Sequence, residues 1–401
     1  MEVRGCDITH EDLKNNIWYN RKEIDNNGID DDQNGYIDDY RGWDVLKNND
    51  QYLTSTASHG TGVCSIIGGE GNNGKGISGV NWNVKMMVIG GVNSEFGIMK
   101  AYEYIFKMRK SYNQTLGSKG AFIVASNASL GLVGVTSVGQ AVSICQSSIN
   151  PVYDSLGKVG VLSVTAVPNA AIDVDARGDV LTSCERKYMI SVTNSDSLDK
   201  KNSGAAFGKT TVDLAAPGTN IFKSTVNNSY NNENGTSFAA PQVAGGIALL
   251  YSIPSLNLAN RMRTYPEATT RLMRNIILQG VDKIQVLNDL VVTGGRLNLY
   301  NSLNLLRQEV GGSVGDLTIQ NLYPNPTHSR LTLQYETPEI KPYQVFIFNI
   351  LGQLVQQETL NPTFMGKKEV NFSVSQLSAG IYFIAIKDEN KLLSSKKFIV
   401  Y

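Results

Sequence analysis

Two short stretches combine a reactive side chain with small neighbours. "NGTSFAAPQVAGG" places Ser237 directly after Gly235-Thr236, and "SHGTGVCSIIGG" places His59 ahead of a similar run of glycine and small residues. Ser237 reads as the start of a helix, with Pro241 in its first turn. Capping alone would explain a serine there. A serine at the head of a buried helix also gains from the positive end of the helix dipole, and from free backbone N–H groups able to hold an oxyanion. Such a nucleophile needs a base. The chain has 3 histidines. His10 lies in "THEDL" and His328 near the C-terminus, leaving His59 as the candidate that heads a comparable helix.

The intervening sequence must supply a frame for these two residues. From about residue 83 to residue 305, apolar strand-like runs alternate with longer helical stretches. "VKMMVIGGV", "AFIVASNAS", "GVLSVTAV" and "YMISVTN" read as buried strands. The helix after the first has Ile98, Tyr102, Ile105 and Met108 at helical spacing. That order predicts an α/β domain, a parallel sheet covered by helices on both faces. Its last helices fall around "PEATTRLMRNIILQG" and "LNLYNSLNLLRQ". After residue 306 a Gly-rich stretch, residues 307–316, reads as a linker. Residues 317–401 change to period-two runs between turn signals, which predicts a small all-β sandwich.

The two helix-heading blocks together resemble the His and Ser motifs of subtilisin-like serine peptidases, the subtilases. The family's Ser motif, G-T-S-x-A-x-P, is matched by Gly235, Thr236, Ser237, Ala239 and Pro241. The resemblance covers residues 1–306. It implies a serine endopeptidase with Ser237 as nucleophile and His59 as general base and then acid. Further blocks carry further roles. "SNASLG" resembles the strand that lines the substrate cleft, with Ser129, Leu130 and Gly131 as substrate-binding residues. "VLSVTAVPNA" resembles the block whose Asn donates to the oxyanion, here Asn169, with Ala166 on the pocket wall. Pro168 stands where the family commonly has glycine. Ala166, Val167 and Ala170 are uncharged, which favours apolar or neutral P1 residues.

The family's third triad member is an aspartate ahead of a motif that "GCDITHEDL" resembles. The alignment puts that position on Val3, and Asp7 on the motif's second aspartate. Glu2 would point to the opposite face of the strand. Two accounts follow. In one the chain is a fragment lacking its first strand, which the break inside a strand motif favours; in the other it is a triad-deficient protein.

"DDDQNGYIDD" adds a separate expectation. Asp30, Asp32 and Asn34 alternate, Gly35 permits a sharp turn, Tyr36 offers a carbonyl and Asp38 a further carboxylate. This is the front half of an EF-hand-like loop, without the glutamate at its twelfth position, and predicts a structural calcium ion. Asp12, in the H-x-D-L block, matches a calcium ligand in some subtilases.

"NLYPNPTHSRLTL", "VFIFNILGQLV" and "LSAGIYFIAI…KKFIV" resemble the C-terminal sorting domain of type IX secretion. The resemblance implies export to the cell surface or beyond, with the secretion machinery as a partner. It outweighs the N-terminus, which lacks the regions of a signal peptide and alone would indicate a cytoplasmic protein. An oxidising destination permits disulfides among Cys6, Cys64, Cys145 and Cys184. The pair flanking one strand unit, Cys145 with Cys184, is preferred. Lys plus Arg and Asp plus Glu number 36 each, so no net field favours nucleic acid. No apolar run reaches the ~18–20 residues of a membrane span. The remaining readings are an inactive peptide-binding surface protein, or an adhesin acting through its C-terminal sandwich.

Overall fold

The computed structural model describes the chain except residues 1–4, 53–55, 132–134, 136, 311–316, 338–340, 363–365 and 389–390. The apolar runs become short strands that pair in parallel. β1 (Gly42–Asp44) pairs with β2 (Val88–Gly90). β3 (Ala125–Ala128), β4 (Leu162–Ala166), β5 (Met189–Ser195) and β6 (Leu214–Pro217) form a second parallel ladder. β4 and β5 are buried at every position, as a sheet covered on both faces requires. β7 (Ile221–Thr225) and β8 (Ser229–Glu233) form an antiparallel hairpin. β9 (Asp282–Lys283) and β10 (Gly295–Arg296) extend the larger sheet beyond β6.

Helices cover the sheets in two layers. α1 (Ser58–Gly68) packs on α6 (Thr236–Tyr251), and α6 crosses β3, β4, β5 and β6. α2 (Glu95–Thr115), α4 (Asn150–Val159) and α8 (Pro266–Gln279) pack as a second layer, with α4 and α8 on β4. Ser94 caps α2 by accepting from the Gly97 N–H. α3 (Val138–Ile144) passes through a π-turn at Cys145–Ile149 into α4, and α5 (Val174–Arg177) is a single turn. Cys145 and Cys184 form the expected disulfide.

Among the described residues the two parallel ladders do not meet. Between β2 and β3 lies a cavity of about 1160 Å³, lined by the segment running into β2 and by β3.

α7 (Leu256–Thr264) and α9 (Leu299–Val310) complete the helices. α9 corrects the linker assignment. Residues 307–310 continue the helix because Leu306 and Val310 are both buried, one turn apart on the same face. The strands of the C-terminal region pair antiparallel, with one parallel bridge between Thr327 and Val400. β11 (Thr318–Tyr323), β12 (Arg330–Thr337) and β15 (Gly366–Ser373) form one sheet. β14 (Leu354–Leu360), β13 (Tyr343–Asn349), β16 (Gly380–Asp388) and β17 (Lys391–Val400) form the other. Alternate residues of β12 (Leu331, Leu333, Tyr335) enter a core shared with Val345, Ile347, Ile384 and Phe398. This matches the period-two pattern of the sequence.

Candidate active site

The helix head at Ser237 is built from the glycine turn before it. The Gly235 N–H donates to Gly218 O at 2.8 Å, which brings the chain off the β7–β8 hairpin and into α6. Asn169 then fixes the first turn: its Oδ1 accepts from the Thr236 N–H at 2.9 Å and from Thr236 Oγ1 at 3.0 Å. Thr236 Oγ1 also reaches Val167 O at 2.6 Å. With Oδ1 engaged, the Asn169 amide nitrogen is left beside the turn, 3.7 Å from where a Gly235 Cβ would stand. The Asn169 amide nitrogen therefore lies beside the glycine turn that leads into α6, whose second residue, Ser237, is 2% exposed. That arrangement can hold a developing oxyanion.

Ser129 acts from the end of β3. Its hydroxyl donates to Ser237 O at 2.9 Å and accepts from Asn127 Nδ2 at 2.9 Å. This hydroxyl steadies the nucleophile's backbone, a contact that the sequence reading did not foresee. Leu130 packs against the core formed with α2, Gly131 follows it, and Ala166 is buried at the end of β4.

His59 stands in the first turn of α1, and its ring lies 5.7 Å from that of Phe238, the residue after Ser237. Neither ring nitrogen has a hydrogen-bond partner among the described residues. Burial pushes its pKa down to about 4, with Glu233 opposing that shift and Lys223 adding to it. The imidazole is neutral at pH 7, the form a general base requires. Lys223 is fully buried, with Nζ 2.9 Å from Glu233 Oε2 and 3.0 Å from Asn231 Oδ1. Neither Lys223 nor Glu233 was singled out by sequence, because nothing in a hairpin pattern shows which helix it packs against.

The position assigned to the triad acid, Val3, lies outside the described residues, as does Glu2. Asp7 is otherwise engaged: its carboxylate accepts from Thr9 N and Oγ1 and from Asn227 N. Asp12 binds Asn73 Nδ2 at 2.7 Å and the Ile77 N–H at 2.8 Å.

In the acidic loop two of the expected carboxylates close turns. Asp30 accepts from the Asn34 and Gly35 N–H groups, and Asp38 from those of Asn27 and Gly28, so both carboxylates close turns. Asn34 Nδ2 donates to Asp39, and the Tyr36 ring packs edge-on against Trp43 and Tyr104. The carboxylates that converge are those of Glu23, Asp32 and Asp39. All are buried, with one oxygen of each within 4.8 Å of the others. Of the five expected residues only Asp32 belongs to this group. Burial raises the Glu23 carboxyl and pushes Asp39 up to about 6. Asp39 was legible as the last residue of the acidic run; Glu23 lies outside it and is brought in by the fold.

Residues 4–294 match the family described as the Subtilase family. The chain belongs to the subtilase family. Residues 321–401 match the secretion system C-terminal sorting domain. Subtilisin-like protease 1 of Plasmodium vivax is 28% identical over 328 residues, 75% of this subtilase and 46% of that protein. The Major intracellular serine protease of Bacillus subtilis (strain 168) is 29% identical over 248 residues, covering 62% and 66% of the two chains. This subtilase thus spans about half the length of the Plasmodium vivax relative. Among solved structures, the Epidermin Leader Peptide Processing Serine Protease (EpiP) from Staphylococcus aureus shares the fold. Its TM-score is 0.52 at 19% identity, over 75% of this chain and 73% of that one. No helix of the described residues is long and apolar enough to cross a membrane.

Proposed function

We propose that the protein is a secreted serine endopeptidase that hydrolyses peptide bonds in proteins, with Ser237 as nucleophile, His59 as base and Asn169 as oxyanion donor. The observation that carries this reading is the head of α6. Ser237 is held there by Ser129, and Asn169 is locked on Thr236 with its amide nitrogen free to face the reacting carbonyl. His59 takes the Ser237 proton and returns it to the leaving amine. Ser129, Leu130, Gly131 and Ala166 line the substrate side. The sorting tail supports export by type IX machinery to the surface or the medium.

Among the described residues no acid is hydrogen-bonded to either His59 nitrogen. A Ser–His pair without that acid retains roughly 10⁻⁴ of full turnover. Release of peptides from unfolded casein, with Ser237→Ala as control, tests the proposal. Slow release that disappears in Ser237→Ala supports it, and equal release by both overturns it. The unpartnered His59 nitrogens favour one rival, a subtilase fold that binds peptides without cleaving them. Saturable casein-peptide binding with no Ser237-dependent release would select that reading.

We also propose a structural calcium ion in the acidic loop. Glu23, Asp32 and Asp39 fit it by offering hard oxygen donors from a buried site, whose mutual repulsion a divalent cation would relieve. The ion would fasten the loop.

A further inference from the structure

The chain has 4 cysteines. Cys145 and Cys184 are joined, which leaves Cys6 and Cys64 as free thiols. These two meet. Cys6 is completely buried in a core with Leu13, Ile17 and Tyr52, and Cys64 packs against that same core from α1. The neighbouring backbone is tied to the same helix: the Asp7 N–H donates to Thr61 Oγ1 at 2.9 Å, and Thr61 Oγ1 donates to Ala57 O at 2.8 Å. Thr61 and Cys64 are three residues apart and share one face of α1, the face that Cys6 and Asp7 lie against. Hydrogen bonding with Cys64, and then burial, hold the Cys6 thiol well above its usual range. The Tyr52 hydroxyl is raised by burial first and then by the nearness of both sulfurs.

A single buried thiol behaves as a small apolar side chain. Two thiols in contact have a further option. A disulfide needs its Cβ atoms within about 4.5 Å, and sulfurs that share a hydrogen bond stand near that spacing. We propose that Cys6 and Cys64 are a redox-modification site, a dithiol that closes to a second disulfide by exchange with a small disulfide such as oxidised glutathione. One cysteine, as its thiolate, attacks the oxidant's disulfide and expels a first thiolate, leaving a mixed disulfide. The other loses its proton, attacks the protein sulfur of that mixed disulfide and expels the second. Two protons and two electrons pass from the cysteines to the oxidant, which leaves as two thiols. The new bond staples the segment around Cys6 to α1, whose first turn carries His59. It also restricts the unfolded chain, so the oxidised fold is the more stable one.

Two preparations of the full 401-residue chain test this: the folded chain held in oxidised glutathione, and the reduced, unfolded chain refolded in a glutathione buffer. Free thiols are trapped with N-ethylmaleimide in denaturant, so that burial hides none, and the peptides are read by mass spectrometry. A peptide pair linked through Cys6 and Cys64 is expected in at least one preparation. Oxidation should then raise the thermal midpoint by at least about 5 °C more in this chain than in Cys64→Ser, which keeps the Cys145–Cys184 bond. Amide exchange at residues 59–64 should slow at least about threefold. Should Cys64→Ser fail to fold, the linked peptide still decides. Maleimide or separate glutathione on both cysteines in both preparations overturns the proposal, as does pairing of either with Cys145 or Cys184. A midpoint that rises equally in Cys64→Ser overturns the staple. None of these readouts uses peptidase activity or export.

Discussion

His59 is buried without a hydrogen bond to either nitrogen, so its protonation state is governed by burial and by the few charges around it. Among the described residues those charges are Glu233 and Lys223, both on the β7–β8 hairpin; from α6 the Phe238 ring lies 5.7 Å from the imidazole. The two charges act in opposite senses, which gives a signed test. Lys223→Met removes the cation that disfavours imidazolium and should raise the His59 pKa. Glu233→Gln removes the anion that favours it and should lower the pKa further. The two shifts should be opposite in sign. With 3 histidines in the chain, each ring resolves in an NMR titration. Shifts of the same sign would show that the pair acts by packing instead. The linkage has a definite direction as well. A histidine whose folded pKa lies below its unfolded value stabilises the fold above the unfolded value, near 6.5, and that contribution is lost as pH falls toward about 4. At this scale the sequence was informative about identity and silent about surroundings. His59, Ser237 and Asn169 stood out through their flanking residues, whereas the hydrogen bond from Ser129 to Ser237 depends on a contact 108 residues apart.

Elements decide how much of this site is rigid. α1 and β7 meet so closely at Gly62 that a Cβ there would lie 2.5 Å from Lys223 Cδ. The Lys223 side chain is fully buried. Gly62→Ala should therefore cost about 1–3 kcal/mol through overpacking, read as a lower thermal midpoint; an unchanged midpoint would show that the lysine stem yields freely. The acidic loop gives a second test. Calcium should raise the thermal midpoint at pH 7.5 and lose that effect as pH falls through about 6, where Asp39 takes up its proton. Identical melting with calcium and with chelator at pH 7.5 would remove the ion from the account. Strand identity was legible from apolar runs, but strand neighbours were not. Periodicity tells a residue which face it takes, and nothing about which edge lies beside it. The end of α9 was missed for a related reason. Gly311 and Gly312 begin a turn signal, but Leu306 and Val310 extend the buried helical stripe almost to it.

For the whole molecule, the two regions read differently in sequence because their burial differs in period. The α/β region shows continuous apolar strands, and residues 317–401 show strict alternation, as in β12 with Leu331, Leu333 and Tyr335 inward. That contrast made the change of architecture legible near residue 317. If the tail is an export address, a chain ending at residue 316 should remain inside a host that carries type IX machinery, while the full chain leaves it. Normal export of the shortened chain would end the sorting role. The account as a whole rests on Ser237 being a nucleophile served by His59. Its most direct test is labelling of the folded 401-residue chain with a fluorophosphonate, followed by mass spectrometry of its peptides. A single adduct on Ser237 is expected, abolished by Ser237→Ala and strongly slowed by His59→Ala. A folded chain with no adduct on Ser237, or one labelled equally fast without His59, would contradict it.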